Sequence, residues 1–298
     1  MKGTAQRPSH GRSRVICVIG SPRSGTSITT RILNLAGVYL GPEEELIPPG
    51  PWNPRGFWEY GPIADLNERL LTSLGGSIRN PPQSLPIGWE KSEEFAAERR
   101  EARELLDDTF GDRPLWGWKD PRASLTLPFW RLMLPHMRYV ICLRNPVDVA
   151  ASAEGIEPLA LSREEIFAAW TRYVAAAFAN TSGSRRSIVS YDDYVDRSQD
   201  TIERLWRFAG NEQSPTGPEA ERLKATVDRS LLRHRTSPAD VLRDDDLPPQ
   251  AGALYLIAML LSHLDSRPDE SGSALQLSAA VDSYALRQLG NERQGQRR

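Results

Sequence analysis

Gly20 and Gly25 are spaced as in the phosphate-binding pattern G-x-x-x-x-G-K-[ST], but Thr26 stands where that pattern carries its lysine. An arginine, Arg23, lies inside the loop instead, within SPRSGTS. Backbone N–H groups of a glycine-rich turn that opens a helix converge on one point and favour an anion. The hydroxyls of Thr26 and Ser27 would add donors. The lysine of an ATP-type loop reaches the β and γ phosphates, and that machinery also needs an acid after a strand to hold magnesium. Here the candidate strand RYVICLRN ends in Arg144 and Asn145. The ligand these residues suit has no β,γ-phosphate pair and needs no metal. Ser152 follows Arg144 by eight residues in RNPVDVAAS. A guanidinium at a strand end and a hydroxyl on the next helix could clamp a further phosphate, the arginine making a forked contact. A merely solvated arginine is the competing reading.

The elements that must position these groups follow from periodicity. VICVIG and YVICLR are apolar and β-branched and read as buried strands; PLWGWKD and RSIVSY read as two more. Helical spacing marks residues 26–35, 63–74, 92–110, 125–134, the segment opened by Pro146, residues 162–181, the QDTIERLWRFAG segment and most of the chain after Pro218, with a break near 237–249. SREE carries a serine cap with glutamate three residues later. Residues 41–61 have neither period and are rich in Pro, Gly and Trp, which reads as a long ordered lid. Strands alternating with helices predict a three-layer α/β/α fold of P-loop-like type around a mostly parallel sheet. The expected organisation is a single domain over 14–290, with flexible tails at 1–13 and 291–298. Ligands of such sheets bind at the carboxyl ends of the strands.

The bulk numbers leave no other obvious site. The chain has 298 residues, 26% of them charged, and a formal net charge of −2, so no global field draws nucleic acid or anionic lipid. Its two cysteines, Cys17 and Cys142, fall in predicted strands and read as buried free thiols. With a polar N-terminus lacking an apolar core, and no apolar run of the roughly 20 residues a membrane span takes, the expectation is a cytoplasmic protein with no membrane span.

SPRSGTS, RNPVDVAAS and IVSYDDYVDR before a helix ending WRFAG together resemble the sulfotransferases that use 3′-phosphoadenosine-5′-phosphosulfate (PAPS). GVYLG, NPRGFWE and WGWKDPR resemble the bacterial-type branch. The resemblance spans roughly residues 14–210. It implies that Arg23, Ser24, Gly25, Thr26 and Ser27 hold the 5′-phosphosulfate, that Arg144 and Ser152 clamp the 3′-phosphate, and that Tyr191 contacts the adenine. It also implies that Lys119 stabilises the departing and transferred groups. Two departures stand out. Ile28 occupies a position that is often tryptophan in the cytosolic branch, and no R-K-G-x-x-G-like segment occurs near the C-terminus. Arg229, Arg233 and Arg235 could replace that segment, or could form a solvated helix face.

Sulfuryl transfer by analogy with phosphoryl transfer is in-line and loose, so positioned charge does most of the work. Arg23 and Lys119 fit that role. The acceptor must also lose a proton to a base. His10, His136, His234 and His263 are poorly placed along the chain. Glu59 is the favoured base, since its aromatic neighbours would strip water from it. Glu44 is the runner-up, Glu43 and Glu45 share its loop, and Asp120 could instead orient Lys119 and Arg122. Trp52, Phe57, Trp58 and Trp89 are candidate acceptor contacts, whereas Trp116 and Trp118 read as core. The expected function is metal-independent sulfuryl transfer from PAPS to a hydroxyl or amine of a glycan or small-molecule acceptor. A P-loop nucleotide or small-molecule kinase and a non-catalytic nucleotide-binding module are the alternatives.

Overall fold

A computed structural model describes residues 13–51, 53–154, 161–227, 234–265 and 271–295, with side chains in the last stretch from 276 to 289. Four strands form one parallel sheet: β1 (Arg14–Gly20), β2 (Leu115–Lys119), β3 (Arg138–Leu143) and β4 (Arg186–Ser190), in the order β2-β1-β3-β4. The register pairs Val18 with Lys119 and with Val140, Gly20 with Cys142, and Leu143 with Ser190. All four strands therefore end at one edge, where each hands over to a loop.

The helices are α1 (Thr26–Leu35), α2 (Gly61–Ser73), α3 (Ala96–Phe110), α4 (Ala123–Arg131), α5 (Pro146–Glu154) and α6 (Arg163–Asn180). They continue as α7 (Asp193–Asp196), α8 (Ser198–Ala209), α9 (Gly217–Thr226), α10 (Pro238–Val241), α11 (Pro249–Asp265) and α12 (Ser271–Gly295). The α/β/α layering arises from the strands' period of two. Ile16, Val18, Val140, Cys142 and Val189 face Ile32 and Leu33 of α1 together with Ile202 and Leu205 of α8. Val15, Cys17, Ile19, Tyr139, Ile141 and Ile188 face the other way, onto α2, α3, α4, α6 and α11. Both faces are covered, so each strand is a near-continuous apolar run.

Trp116 and Trp118 lie fully buried in that second layer. Phe110 stacks on Trp116 with centroids 4.3 Å apart, and Trp118 meets Trp130 at 5.4 Å. The expected capping box is present: Ser162 accepts from the Glu165 N–H and Glu165 accepts from the Ser162 N–H. The helix expected from residue 92 instead begins with a 3₁₀ turn, Glu93–Phe95, capped by Ser92, before α3 proper. At the other end of the chain α12 runs on to Gly295, into the segment expected to be a tail. No helix among the described residues is long and apolar enough to cross a membrane.

Candidate active site

The loop between β1 and α1 is shaped by close approach. A side chain at Gly20 would place its Cβ 2.3 Å from the Cys142 carbonyl oxygen, and one at Gly25 would sit 2.6 Å from the Tyr191 ring. Gly25 has φ +84° and caps α1 without a side-chain bond. The first N–H groups of a helix have no partner within it, and here they face a cleft of about 810 Å³. Arg23 adopts φ +67°, a conformation that costs a non-glycine residue about 1–3 kcal/mol and recurs at functional sites. The Oγ of Ser24 is buried and finds no hydrogen-bond partner among the described residues. That orphaned donor suits an anion seated in the loop.

Neighbouring strand ends deliver the other groups to the same cleft, which is lined by Arg23, Gly25, Thr26, Ser27, Lys119, Arg144, Ser152 and Tyr191. Arg144 lies across the Tyr191 ring, 4.2 Å from its centroid. Its Nη1 donates to the Arg23 carbonyl at 3.1 Å and its Nη2 to the His234 carbonyl at 3.2 Å. Burial lowers the Arg144 pKa from the usual arginine value, against the pull of Tyr191 and two aspartates. The Arg144 Nε is buried and has no hydrogen-bond partner among the described residues. Burial likewise raises the Tyr191 phenol, although Arg144 and Arg23 act in the opposite sense. Ser152 accepts from Arg23 Nε at 3.1 Å, so the two sequence signals meet directly.

Lys119 and Glu59 form a buried ion pair beside the loop, and Arg122 Nη2 holds the other Glu59 oxygen at 3.1 Å. Aromatic neighbours thus do not set the environment of Glu59 by themselves; two cations enclose it. Glu44, with Glu43 and Glu45, lies exposed on a 3₁₀ turn and does not line the cleft. Ser27 is already engaged by the lid, accepting from Asn53 Nδ2 at 2.9 Å and donating to the Phe57 carbonyl at 3.3 Å. Phe57 and Trp58 line the cleft, but Trp89 does not: it packs in the core against Phe95 and Phe129. Among the histidines, His136 and His263 are exposed and outside the cleft, and His234 lines it. His10, Trp52, Arg229 and Arg233 lie outside the described residues, and Arg235 pairs with Asp196.

The profile of the sulfotransferase family matches residues 15–215 of this chain. The chain belongs to that family. Membership places it among transferases of the sulfuryl group. Among solved structures, the sulfotransferase domain of the Synechococcus PCC 7002 olefin synthase is similar at 22% identity and a TM-score of 0.42, over 88% of this chain and 98% of that one. A sulfotransferase of Mycobacterium tuberculosis H37Rv is similar at 16% identity and TM-score 0.44, over 78% and 76% of the two chains. Retinol dehydratase in complex with androsterone and inactive cofactor PAP is similar at 15% identity and TM-score 0.39, over 72% and 64%. No curated protein sequence matched the chain.

Several contacts of this candidate site have no sequence signal. Asn145 Nδ2 donates to the Thr236 carbonyl at 3.0 Å, and Asp148 accepts from the Thr236 N–H and hydroxyl. These bonds bring residues 234–237, about 90 positions on, against the Arg144 loop. Asn67 and Glu68 of α2 reach the Lys119 strand end in the same unannounced way. Each side chain reads as ordinary helix or loop surface until the fold supplies its partner.

Proposed function

We propose that this sulfotransferase moves the sulfuryl group of PAPS onto a hydroxyl or amine of a small-molecule or glycan acceptor, without a metal. The observation that carries the reading is the opening of a buried Lys119–Glu59 pair onto the same cleft as the anion loop and Arg144. Ser24, the α1 N-terminus and Arg23 would bind the 5′-phosphosulfate, while Arg144 with Ser152 would bind the 3′-phosphate. Tyr191 and Ile28, both lining the cleft, would contact the adenine. PAPS supplies an activated sulfur–oxygen bond. The acceptor oxygen or nitrogen forms its bond to sulfur as the bond to the 5′-phosphate oxygen breaks. The electron pair leaves with adenosine 3′,5′-bisphosphate, and Glu59 takes the acceptor's proton. Lys119 and Arg23 offset the negative charge that builds on the leaving phosphate, the role a magnesium ion plays in kinases.

Calorimetric titration without magnesium tests this, comparing adenosine 3′,5′-bisphosphate with ADP and ATP. Tight binding of the bisphosphate alone is expected. Preference for ATP, or binding only with magnesium, would replace this reading with a kinase. Tight bisphosphate binding with no turnover across broad acceptor pools would point to a binding module.

A further inference from the structure

The buried charges behind the cleft outnumber those the transfer itself uses. Glu59 presents each of its oxygens to a different cation: Oε1 to Lys119 and Oε2 to Arg122. The two cations are held very differently. Lys119 is a compact charge on a flexible stem, with the Phe57 ring 6.0 Å from its ammonium. Arg122 is fixed at each nitrogen of its fork. Its Nε donates to Asp120 Oδ1 at 2.8 Å, its Nη1 to Glu68 Oε2 at 3.1 Å, and its backbone N–H also to Asp120 Oδ1 at 2.9 Å. Burial alone would lower the Arg122 pKa, but Asp120 and Glu59 outweigh it and raise it, so this cation stays charged.

The chain of contacts continues into the core. Asn67 Nδ2 donates to Asp120 Oδ2 at 2.7 Å, and Asn67 Oδ1 accepts from Thr126 at 2.6 Å and from the Trp130 indole at 2.8 Å. Asn67, Asp120, Thr126 and Trp130 are all fully buried. A row of directional bonds therefore leads from the aromatic core to one oxygen of Glu59, while the other meets Lys119 alone among the described residues.

Building on the function proposed above, we propose that Arg122, buttressed by Asp120 and Asn67, is the positioning residue that keeps Glu59 in place when Lys119 turns to the sulfuryl donor. With Lys119 on one oxygen and Arg122 on the other, Glu59 has neither oxygen free to meet an acceptor hydroxyl. The anionic oxygens of the donor compete for Lys119 and release Oε1, while the Arg122 fork retains Oε2 and its aim. Glu59 becomes a base only once the donor has arrived, which places donor binding before productive acceptor binding.

The test uses the full chain with PAPS, 4-methylumbelliferone as probe acceptor, and water as the background acceptor. Arg122→Gln should lower kcat about 100-fold, the scale of a general base. The donor KM should change less than threefold. Arg122→Lys should restore most of the rate, and Asp120→Asn should fall between. Wild-type kcat in Arg122→Gln would overturn the proposal, as would equal loss of rate and donor binding in the glutamine and lysine variants. A wild-type chain that binds adenosine 3′,5′-bisphosphate yet transfers sulfuryl to neither probe would remove the underlying functional reading, and this proposal with it. Failure to bind the bisphosphate at all would likewise remove the underlying functional reading.

Discussion

Ser24 and Arg144 each bury a polar atom, Oγ and Nε respectively, with no hydrogen-bond partner among the described residues. Each such group calls for an explanation, and a ligand that supplies the missing partner is one. Ser24→Ala should therefore leave the ligand-free protein as stable as wild type or about 1 kcal/mol more stable, while weakening bisphosphate binding roughly tenfold. Thermal melts with and without bisphosphate read both effects, and a variant destabilised without ligand would show that Ser24 serves the fold. Arg144→Ala removes a charge-assisted contact worth about 2 kcal/mol. Adenosine 3′,5′-bisphosphate should bind roughly 30-fold more weakly, and its 3′-dephospho analogue nearly as before. Equal losses by calorimetry would take Arg144 out of the clamp.

At the scale of elements, the site depends on short segments tied to distant ones. The start of α5 is the clearest case. Asn145 Oδ1 accepts from the Val147 N–H at 2.8 Å, satisfying an N-terminal donor of α5, while its amide holds the Thr236 carbonyl. The Arg144 carbonyl is pinned from the other side by the Trp170 indole of α6 at 3.0 Å. Asn145→Ala should cost about 1 kcal/mol, the usual worth of a cap. It should also loosen residues 234–237, which hydrogen exchange followed by mass spectrometry would report as faster exchange there, with weaker bisphosphate binding. Unchanged exchange at 234–237 would mean that the Asp148 and Arg144 bonds hold that segment without Asn145. The lid is tied in the same manner, through Asn53 and Phe57 to Ser27, so its aromatic residues reach the cleft because α1 anchors them.

For the whole molecule, the double-layered core buries several groups that ionise at alkaline pH. Burial pushes the Cys142 thiol up to about 12, eased slightly by its bond to Thr29, and raises Cys17 well above the usual thiol value. Burial also raises Tyr139, Tyr173, Tyr194 and Tyr255. An unfolded thiol loses its proton near pH 8.5 and an unfolded tyrosine near pH 10. The native state keeps these protons longer, so stability is fully present below those values and is lost as pH rises through and above them. The urea midpoint should hold up to about pH 8.5 and fall progressively toward pH 11. Replacing both cysteines by alanine should flatten the first part of that fall. A wild-type midpoint that stays level to pH 11 would contradict the burial argument.

The sequence by itself determined β1, β3, α1 and α6, because each carries its own signal: a β-branched run, a helical period or a capping box read over a few neighbours. It also determined the loop between β1 and α1 as the candidate anion site, since Gly20, Arg23, Ser24 and Gly25 lie within one turn. Family membership followed from such local motifs. Only the tertiary structure decided that Glu59 answers to Lys119 and Arg122, that Glu44 stays at the surface, and that Trp89 belongs to the core. Those outcomes rest on contacts between residues 40 to 63 positions apart, and the approach of Thr236 to Asn145 spans 91. No local pattern encodes such pairs. A charged or aromatic side chain carries the same local signal whether it ends in water, in packing or against an opposite charge, and the sheet and helices choose among these by what they bring alongside.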